Sequence, residues 1–490
     1  MMIVARVAGP SAMHRFDQPK TVAYTASMVL HHEWLLPDDM FGRPSTKPPL
    51  VNWLAAPLVA MGFWTEWAVK MPMLLGSLLT LGIIIKMGRH LLSQCAETAL
   101  HATEGGLLAG MAWLTTPGSM DLIYHCRPDP LLVTCLAAAW MFATWSMEAG
   151  ARGWMKAGLW IATGLAGLAK GPPALLPMLF VPLAAWLIPE KKGLASSTGW
   201  RWGIPLALGI IGLWLVPVAV LHTDHLFKVL LGRELLSRVA GVGQQFGSAT
   251  KSGGAMGLLL GLYKNPVWLV EKMLPWSLAT LAALWVIGPR RWLRHPLAPA
   301  ILWLVLVLAF FSLTAGKTAD YIAPAFPAAA ILAAYACVRT FGRWKLGPVF
   351  YGWAGLLMAA ALCVQSFCFS SAATKPNGDH LKEFAAQVTA KTADDSIAFV
   401  ATGYNTLQFF LRRHQPGDPT PEELKSARWI IMPPLDGLTP EIVSEKLPSV
   451  FSSKSGTLGL YRADEKVREQ ALKMLQTNKI PPHNDDGSPE

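Results

Sequence analysis

Long apolar runs separated by short polar interruptions dominate this chain. Ten of them, at 67–87, 104–119, 129–147, 153–169, 172–188, 203–221, 266–287, 297–314, 320–338 and 347–369, are near the about 20 residues that a helix needs to cross a hydrocarbon core. They predict a mostly α, polytopic transmembrane bundle. Residues 48–64 are also apolar but short, and they open on Pro48 and Pro49, which predicts a helix lying at the interface or dipping partly in. Residues 1–16 carry Arg6, His14 and Arg15 and are too short to span. After Lys375 the pattern changes. HLKEFAAQVTA reads as an amphipathic helix, SIAFVA as a buried strand, YNTLQFFLRR as a second helix, RWIIMPP as another strand and TLGLYRA as a last strand before a charged helix around Lys466. That is a small α/β domain, followed by IPPHNDDGSPE, whose lack of apolar residues predicts disorder. The expected division is a juxtamembrane segment 1–66, a transmembrane domain 67–370, a small α/β domain 371–475 and a disordered tail 476–490.

Composition agrees with the pattern: 52% of residues are hydrophobic and 15% charged, with a mean hydropathy of +0.36, too little charge for an ordinary soluble surface. A net charge of +11 raises nucleic acid as a partner. The basic residues, however, sit in short clusters between apolar runs, and every second connection is basic. Lys86, Arg89 and His90 follow the first span, Arg152 and Lys156 the third, Lys191 and Lys192 the fifth, Arg290, Arg291 and Arg294 the seventh, Arg339, Arg343 and Lys345 the ninth. By the positive-inside rule those loops face the cytoplasm, and no nucleic acid is implied. The opposite, extracytoplasmic face then receives 15–54, the turns at Asp129, Lys170 and Lys317, the 222–265 loop and the tail after Ser370. The six cysteines have no C-x-x-C spacing and read as small core residues.

The candidate chemistry lies on that extracytoplasmic face. Residues 15–54 pack charge and rigid backbone together, with Asp17 and Lys20 in a polar loop at one end, and Lys47 follows Asp17 by thirty positions, fixed before two prolines. This combination suits an anionic, phosphorylated ligand. Asp129 opens a membrane helix after Pro128. A carboxylate there is an ordinary cap, but Arg127 two residues earlier weakens that reading, because charges at a membrane boundary are costly unless they meet a ligand, a metal or each other. One of the two aspartates can serve as general base toward an acceptor hydroxyl or amine, and together Asp17 and Asp129 can share a divalent cation that offsets a phosphate leaving group. Lys47, Lys170 and Lys317 each stand alone where one apolar segment ends and another begins. Lysines snorkel at such ends in any membrane protein, yet three on one face, with Arg233 and Arg238, make a cationic ring for a phosphate, which Tyr321 and Tyr263 can close.

In this order the motifs resemble those of the membrane-embedded GT-C glycosyltransferases, particularly the aminoarabinose transferase and protein O-mannosyltransferase-like group. The residues are Asp17-Gln18, Lys47-Pro48-Pro49-Leu50 with Trp53, Arg127-Pro128-Asp129, Lys170-Gly171-Pro172, Pro275-Trp276, and Lys317 ahead of Tyr321, Pro324 and Pro327. The resemblance runs from about Phe16 to Ala330 and implies a sugar donor on a polyprenyl phosphate, a lipid, glycan or protein acceptor reached from outside, and inversion at the sugar carbon. It makes Asp17 the base or acceptor-orienting carboxylate and Asp129 its partner near metal or acceptor. Lys20, Lys47 and Arg238 would hold the lipid phosphate, with Lys170, Lys317 and Tyr321 beside them. Such a donor explains a site at the bilayer face of the inner or plasma membrane, since leaving hydrocarbon costs about 0.8 kcal/mol per CH₂.

Three departures from that pattern stand out. Gln18 replaces a usual Glu, Thr46 replaces the Glu before Lys47, and the membrane helix that normally precedes the Asp is missing, so a start upstream or a truncated chain is expected. A flippase or transporter of an anionic lipid would use the same cationic ring, but internal repeats and midspan polar groups are not found. A catalytically inactive relative is the third reading, carried by Gln18 and Thr46.

Overall fold

The computed structural model describes residues 18–39, 42–124, 126–227, 254–314, 318–341, 356, 360, 379–393, 395–400, 405–433, 451–452 and 458–476. The helices, in order, are α1 (Gln18–His31), α2 (Leu50–Ala60), α3 (Glu66–Ser93), α4 (Ala102–Thr115), α5 (Pro117–Tyr124), α6 (Pro128–Ser146), α7 (Gly153–Lys170), α8 (Leu175–Leu187) and α9 (Trp200–Leu221). They continue as α10 (Gly254–Lys272), α11 (Trp276–Ile287), α12 (Ala298–Leu313), α13 (Phe326–Phe341), α14 (Asp379–Thr392), α15 (Asn405–Phe410), α16 (Pro421–Ser426) and α17 (Glu465–Gln476). This is the mostly helical, multi-span class expected from the apolar runs.

Several predicted spans are interrupted, and proline accounts for the breaks, because it lacks an N–H and clashes with the preceding turn. Residues 104–119 divide at Thr116 into α4 and α5, which starts on Pro117. The 172–188 and 320–338 segments open with 3₁₀ turns, Pro172–Ala174 and Ala319–Ala325. The expected single span at 266–287 is broken before Pro275, and its halves meet at 118°. Among the described residues, Glu66–Ser93, Trp200–Leu221 and Ala319–Phe341 are long and apolar enough to cross a membrane by themselves, with a fourth crossing if the bent pair counts as one. Apart from positions 356 and 360, the predicted span 347–369 lies outside the described residues, as does the tail after 476.

The 15–54 stretch differs most from expectation, since its first part is helix α1 and not loop. Its buried positions include Gln18, Thr21, Thr25 and Ser27, and their polar atoms bond within α1 and to neighbouring segments. Thr25 Oγ1 donates to the Thr21 carbonyl at 2.8 Å, and Asn52 Nδ2 of α2 donates to Thr21 O at 2.8 Å and Thr25 Oγ1 at 2.9 Å. A helix paired with its neighbour through amide and hydroxyl groups shows little apolar stripe in the sequence.

The bundle core centres on Trp303 of α12. Its ring stacks on Trp140 of α6 at 5.9 Å and meets Phe180 of α8 edge-on at 5.6 Å, while its Nε1 donates to Pro324 O at 2.9 Å. Elsewhere small residues let backbones approach. A Cβ on Gly106 of α4 would lie 2.5 Å from the Ile85 carbonyl of α3, and one on Gly203 of α9 would lie 2.0 Å from the Trp160 ring of α7. These contacts hold helices together in the absence of a hydrophobic drive.

The C-terminal part is a four-stranded sheet of β1 (Ile397–Phe399), β2 (Trp429–Met432), β3 (Phe451–Ser452) and β4 (Gly459–Arg462), in the order β1-β2-β4-β3. β1 is parallel to β2, β4 is antiparallel to both its neighbours, and Ile430 pairs with Tyr461. The two-residue β3 had no signature in the sequence. Phe409 of α15 is buried in one cluster with Val22 and Ala26 of α1, which docks this domain on the helices.

α6 has 19 residues, about 28 Å at 1.5 Å per residue, and separates two charged ends. Beyond its C-terminus, buried Lys191 donates to Thr144 O at 3.2 Å and to Glu148 Oε1 at 3.2 Å, and His90 Nε2 lies 3.0 Å from the same carboxylate oxygen. Burial opposes the Glu148 charge, but the His90 hydrogen bond and the Lys191 charge outweigh it and hold the carboxyl below its usual range. Because the folded pKa is depressed, this stabilisation is complete above the unfolded value near 4.3 and is lost as pH falls through the folded value. Glu148→Gln should therefore flatten the acid limb of a melting-temperature-against-pH curve and leave the alkaline limb unchanged. For packing, Gly106→Ala should cost about 1–3 kcal/mol through the clash with α3, whereas Gly209→Ala, which meets nothing within 4 Å, should not lower the midpoint in detergent.

Candidate active site

Four local structures bring charge to the other end of α6. Arg127 is the extended N-cap (φ −140°, ψ 166°), and Pro128, Asp129 and Pro130 form the first turn, where a missing proline N–H costs nothing. α7 ends on Lys170 because Gly171 takes φ +74°, a conformation that side chains resist, and Pro172 and Pro173 follow. The 3₁₀ turn Ala319–Ala325 carries Asp320 and Tyr321. The segment before α2 carries Thr46 and Lys47.

These pieces meet. Lys170 Nζ donates to Asp129 Oδ1 at 2.5 Å, and Arg127 Nε faces Asp129 Oδ2 at 3.9 Å. Arg127 Nη2 reaches Asp320 Oδ2 at 2.8 Å, and Lys170 Nζ sits over the Tyr321 ring at 4.7 Å. The Asp129 carboxylate is thus engaged by two cations and is more than a cap on its own helix. Lys47, Asp129, Lys170, Asp320 and Tyr321 line a cavity of about 510 Å³. Its remaining wall is mostly apolar and includes Leu132, Ile211, Trp214, Phe310 and Phe311. With Arg127, three cations face two carboxylates, so the described residues of the cluster carry one formal positive charge.

Of the residues singled out in the sequence, Lys47, Asp129, Lys170 and Tyr321 therefore converge. Asp17, Arg233, Arg238 and Lys317 lie outside the described residues. Lys20 is half-buried on α1 and is not among the cavity-lining residues, and Tyr263 is exposed on α10. Gln18, fully buried, accepts the Cys126 N–H at 2.9 Å, one residue before Arg127. Asp320 was missed: in TADY it stands between the more conspicuous Lys317 and Tyr321, and its only signal was an acid at the start of an apolar segment. The donor set of the described residues does not fit a divalent cation. Both Asp129 oxygens face cations, and no group of three or more His, Cys, Asp or Glu side chains among the described residues could hold one.

Residues 46–217, which run from the Lys47 segment into α9, match the dolichyl-phosphate-mannose-protein mannosyltransferase family. The chain is a relative of the GT-C glycosyltransferases. This GT-C relative is 25% identical over 358 residues to the undecaprenyl phosphate-alpha-4-amino-4-deoxy-L-arabinose arabinosyl transferase of Pseudomonas aeruginosa, covering 68% of this chain and 56% of that protein. It is 26% identical over 332 residues to the corresponding transferase 2 of Pseudomonas fluorescens, covering 64% and 51%. The match thus spans little more than half the length of these curated relatives. Its fold is that of ArnT from Cupriavidus metallidurans, with a TM-score of 0.68 at 17% identity over 95% of this chain and 96% of that one. Against ArnT bound to undecaprenyl phosphate the TM-score is 0.66 at 16% identity, with the same coverage.

Removing one partner of a buried ion pair leaves the other uncompensated. Asp129→Asn should accordingly destabilise this GT-C relative by about 3–5 kcal/mol, and adding Lys170→Met should recover part of the loss. An unchanged melting temperature for Asp129→Asn in detergent would show that the pair contributes nothing to stability.

Proposed function

We propose that this chain transfers a sugar from a polyprenyl-phosphate donor to a hydroxyl or amine of a lipid, glycan or protein acceptor, on the extracytoplasmic face of the inner or plasma membrane. The supporting observation is the two-part cavity: a cluster with one net positive charge at one end and apolar walls along the rest. A phosphate on an isoprenoid chain has the same two parts. The match to a dolichyl-phosphate-mannose family, and the undecaprenyl phosphate named for the relatives, favour the same donor class.

On this reading Lys47, with Lys317, Arg238 and Tyr321, holds the donor phosphate and stabilises the charge that grows on it as the glycosidic bond breaks, while Lys20, which does not line the cavity, takes no part. Lys170, already on Asp129, shares that phosphate only from the side. The acceptor oxygen or nitrogen attacks the anomeric carbon opposite the leaving phosphate, its proton passes to Asp17, and polyprenyl phosphate departs. One in-line displacement inverts the sugar carbon. Asp129, fixed by Lys170 and Arg127, orients the acceptor. The alternating basic connections support a cytoplasmic position for the Glu148 end and an external one for the cluster.

The test uses purified protein and a radiolabelled polyprenyl-phosphate sugar. Asp17→Asn should lower turnover by about 10²–10⁴-fold, the contribution of general base catalysis. Lys47→Ala should weaken use of the donor by about 10–100-fold, as loss of a charged hydrogen bond does. Equal sugar release by both variants and the wild type would remove these assignments.

A further inference from the structure

The segment that brings Lys47 to the cavity is held on both sides. On the helical side, Trp53 Nε1 donates to Trp34 O and Trp214 Nε1 to Leu35 O, each at 2.8 Å, and His225 Nε2 lies 3.1 Å from Ser45 O. Within the segment Ser45 N donates to Pro37 O at 2.8 Å, Gly42 N to Asp39 O at 2.9 Å and Asp39 N to Arg43 O at 3.0 Å. Asp38 and Pro44 form an antiparallel bridge, and Ser45 Oγ donates to Lys47 O at 2.8 Å. The order that starts at Asp38 thus runs by hydrogen bonds to the backbone of Lys47.

On the other side the contact comes from the C-terminal domain, 376 residues away in sequence. The His414 side chain is fully buried, with Nε2 3.2 Å from Asp38 O and 3.3 Å from Asp38 Oδ1. His31 Nε2 lies 3.1 Å from His414 O, and the two rings meet edge-on at 4.9 Å. Ser27 Oγ of α1 donates to the same Asp38 Oδ1 at 2.8 Å. Gly42 packs against the next turn of the domain, where an added Cβ would stand 3.9 Å from the Pro416 carbonyl carbon. His414 Nδ1 is buried and makes no hydrogen bond, whereas Nε2 faces two oxygens, so the ring proton belongs on Nε2, where it is donated to Asp38.

The geometry points to His414 as a positioning residue for donor binding: by gripping Asp38 it orders the segments Pro37–Asp39 and Gly42–Lys47 and thereby sets where the Lys47 ammonium stands at the cavity. This rests on the reading of Lys47 as the anchor of a polyprenyl phosphate. It gives the α/β domain a part in the transfer without contact between that domain and the reacting atoms.

The experiment uses the full chain in detergent and two readouts that need no turnover: amide exchange at Asp39, Gly42 and Ser45, and equilibrium binding of undecaprenyl phosphate. His414→Ala should speed exchange at those amides and weaken binding about 5- to 10-fold, the equivalent of one hydrogen bond. His414→Gln, which restores a donor near Nε2, should return both toward wild type. His31→Ala, at an exposed position, should loosen the same amides less, and it tests the grip even if His414→Ala does not fold. Unchanged exchange in a folded variant, faster exchange with unchanged affinity, or a Gln variant no better than Ala would each overturn the proposal. Wild-type protein that binds no undecaprenyl phosphate would sink the donor reading instead, and the exchange result would still decide whether His414 orders the segment.

Discussion

Charge buried beside a membrane must be balanced on the spot, and in this protein the balance is struck by Asp129. Its carboxylate is shared between Lys170 at the end of α7 and Arg127 at the start of α6, and Arg127 carries the network on to Asp320. Three backbone features, the proline-led start of α6, the end of α7 at Gly171 and the 3₁₀ turn Ala319–Ala325, are needed to put these groups within reach. Helix ends suit the purpose because their side chains project from positions that the helix axes fix, and because their backbone groups are already partly unpaired. The interruptions that cut the apolar runs into shorter helices are therefore also what delivers charge to one place.

This explains which features were legible in the sequence. Lys47, Lys170 and Asp129 stand out because each is a lone charge next to prolines in apolar surroundings, and they do line one cavity. The small sheet was legible because SIAFVA, WIIM and GLY are compact apolar runs in a polar stretch. α1 was not, since it buries threonine, serine and glutamine, with Thr21 and Thr25 bonded to Asn52, and so lacks the periodic stripe by which helices are recognised. The corner before Pro275 is hidden in a continuous apolar run because hydropathy averages over a window and does not see direction. Asp320 was obscured by its neighbours, and only the fold gives it Arg127 as a partner across 193 residues.

The comparisons fit this picture of what is retained. At 17% identity to ArnT the helical architecture persists over nearly the whole chain, and the charged and proline-bearing helix ends are where this sequence resembles the GT-C pattern. Thr46 and Gln18 depart from it in a way the structure makes concrete. Thr46 lines the cavity next to Lys47, and a glutamate there would cancel the cluster's single net positive charge. Gln18 is employed structurally, holding the Cys126 amide just ahead of Arg127.

The close glycine seams have a consequence for the medium around the protein. α7 meets α9 at Gly164, Gly167 and Gly203, contacts that draw on dispersion between near backbones and persist in hydrocarbon. The same α9 buries only 17% of its apolar window inside the bundle and yet supplies Ile211, Trp214 and Leu215 to the cavity. Annular lipid is thus effectively the outer layer of that wall. Acyl length and saturation bear on the greasy side of the chamber, while the ionic side is built on α6, α7, the Lys47 segment and the Ala319–Ala325 turn.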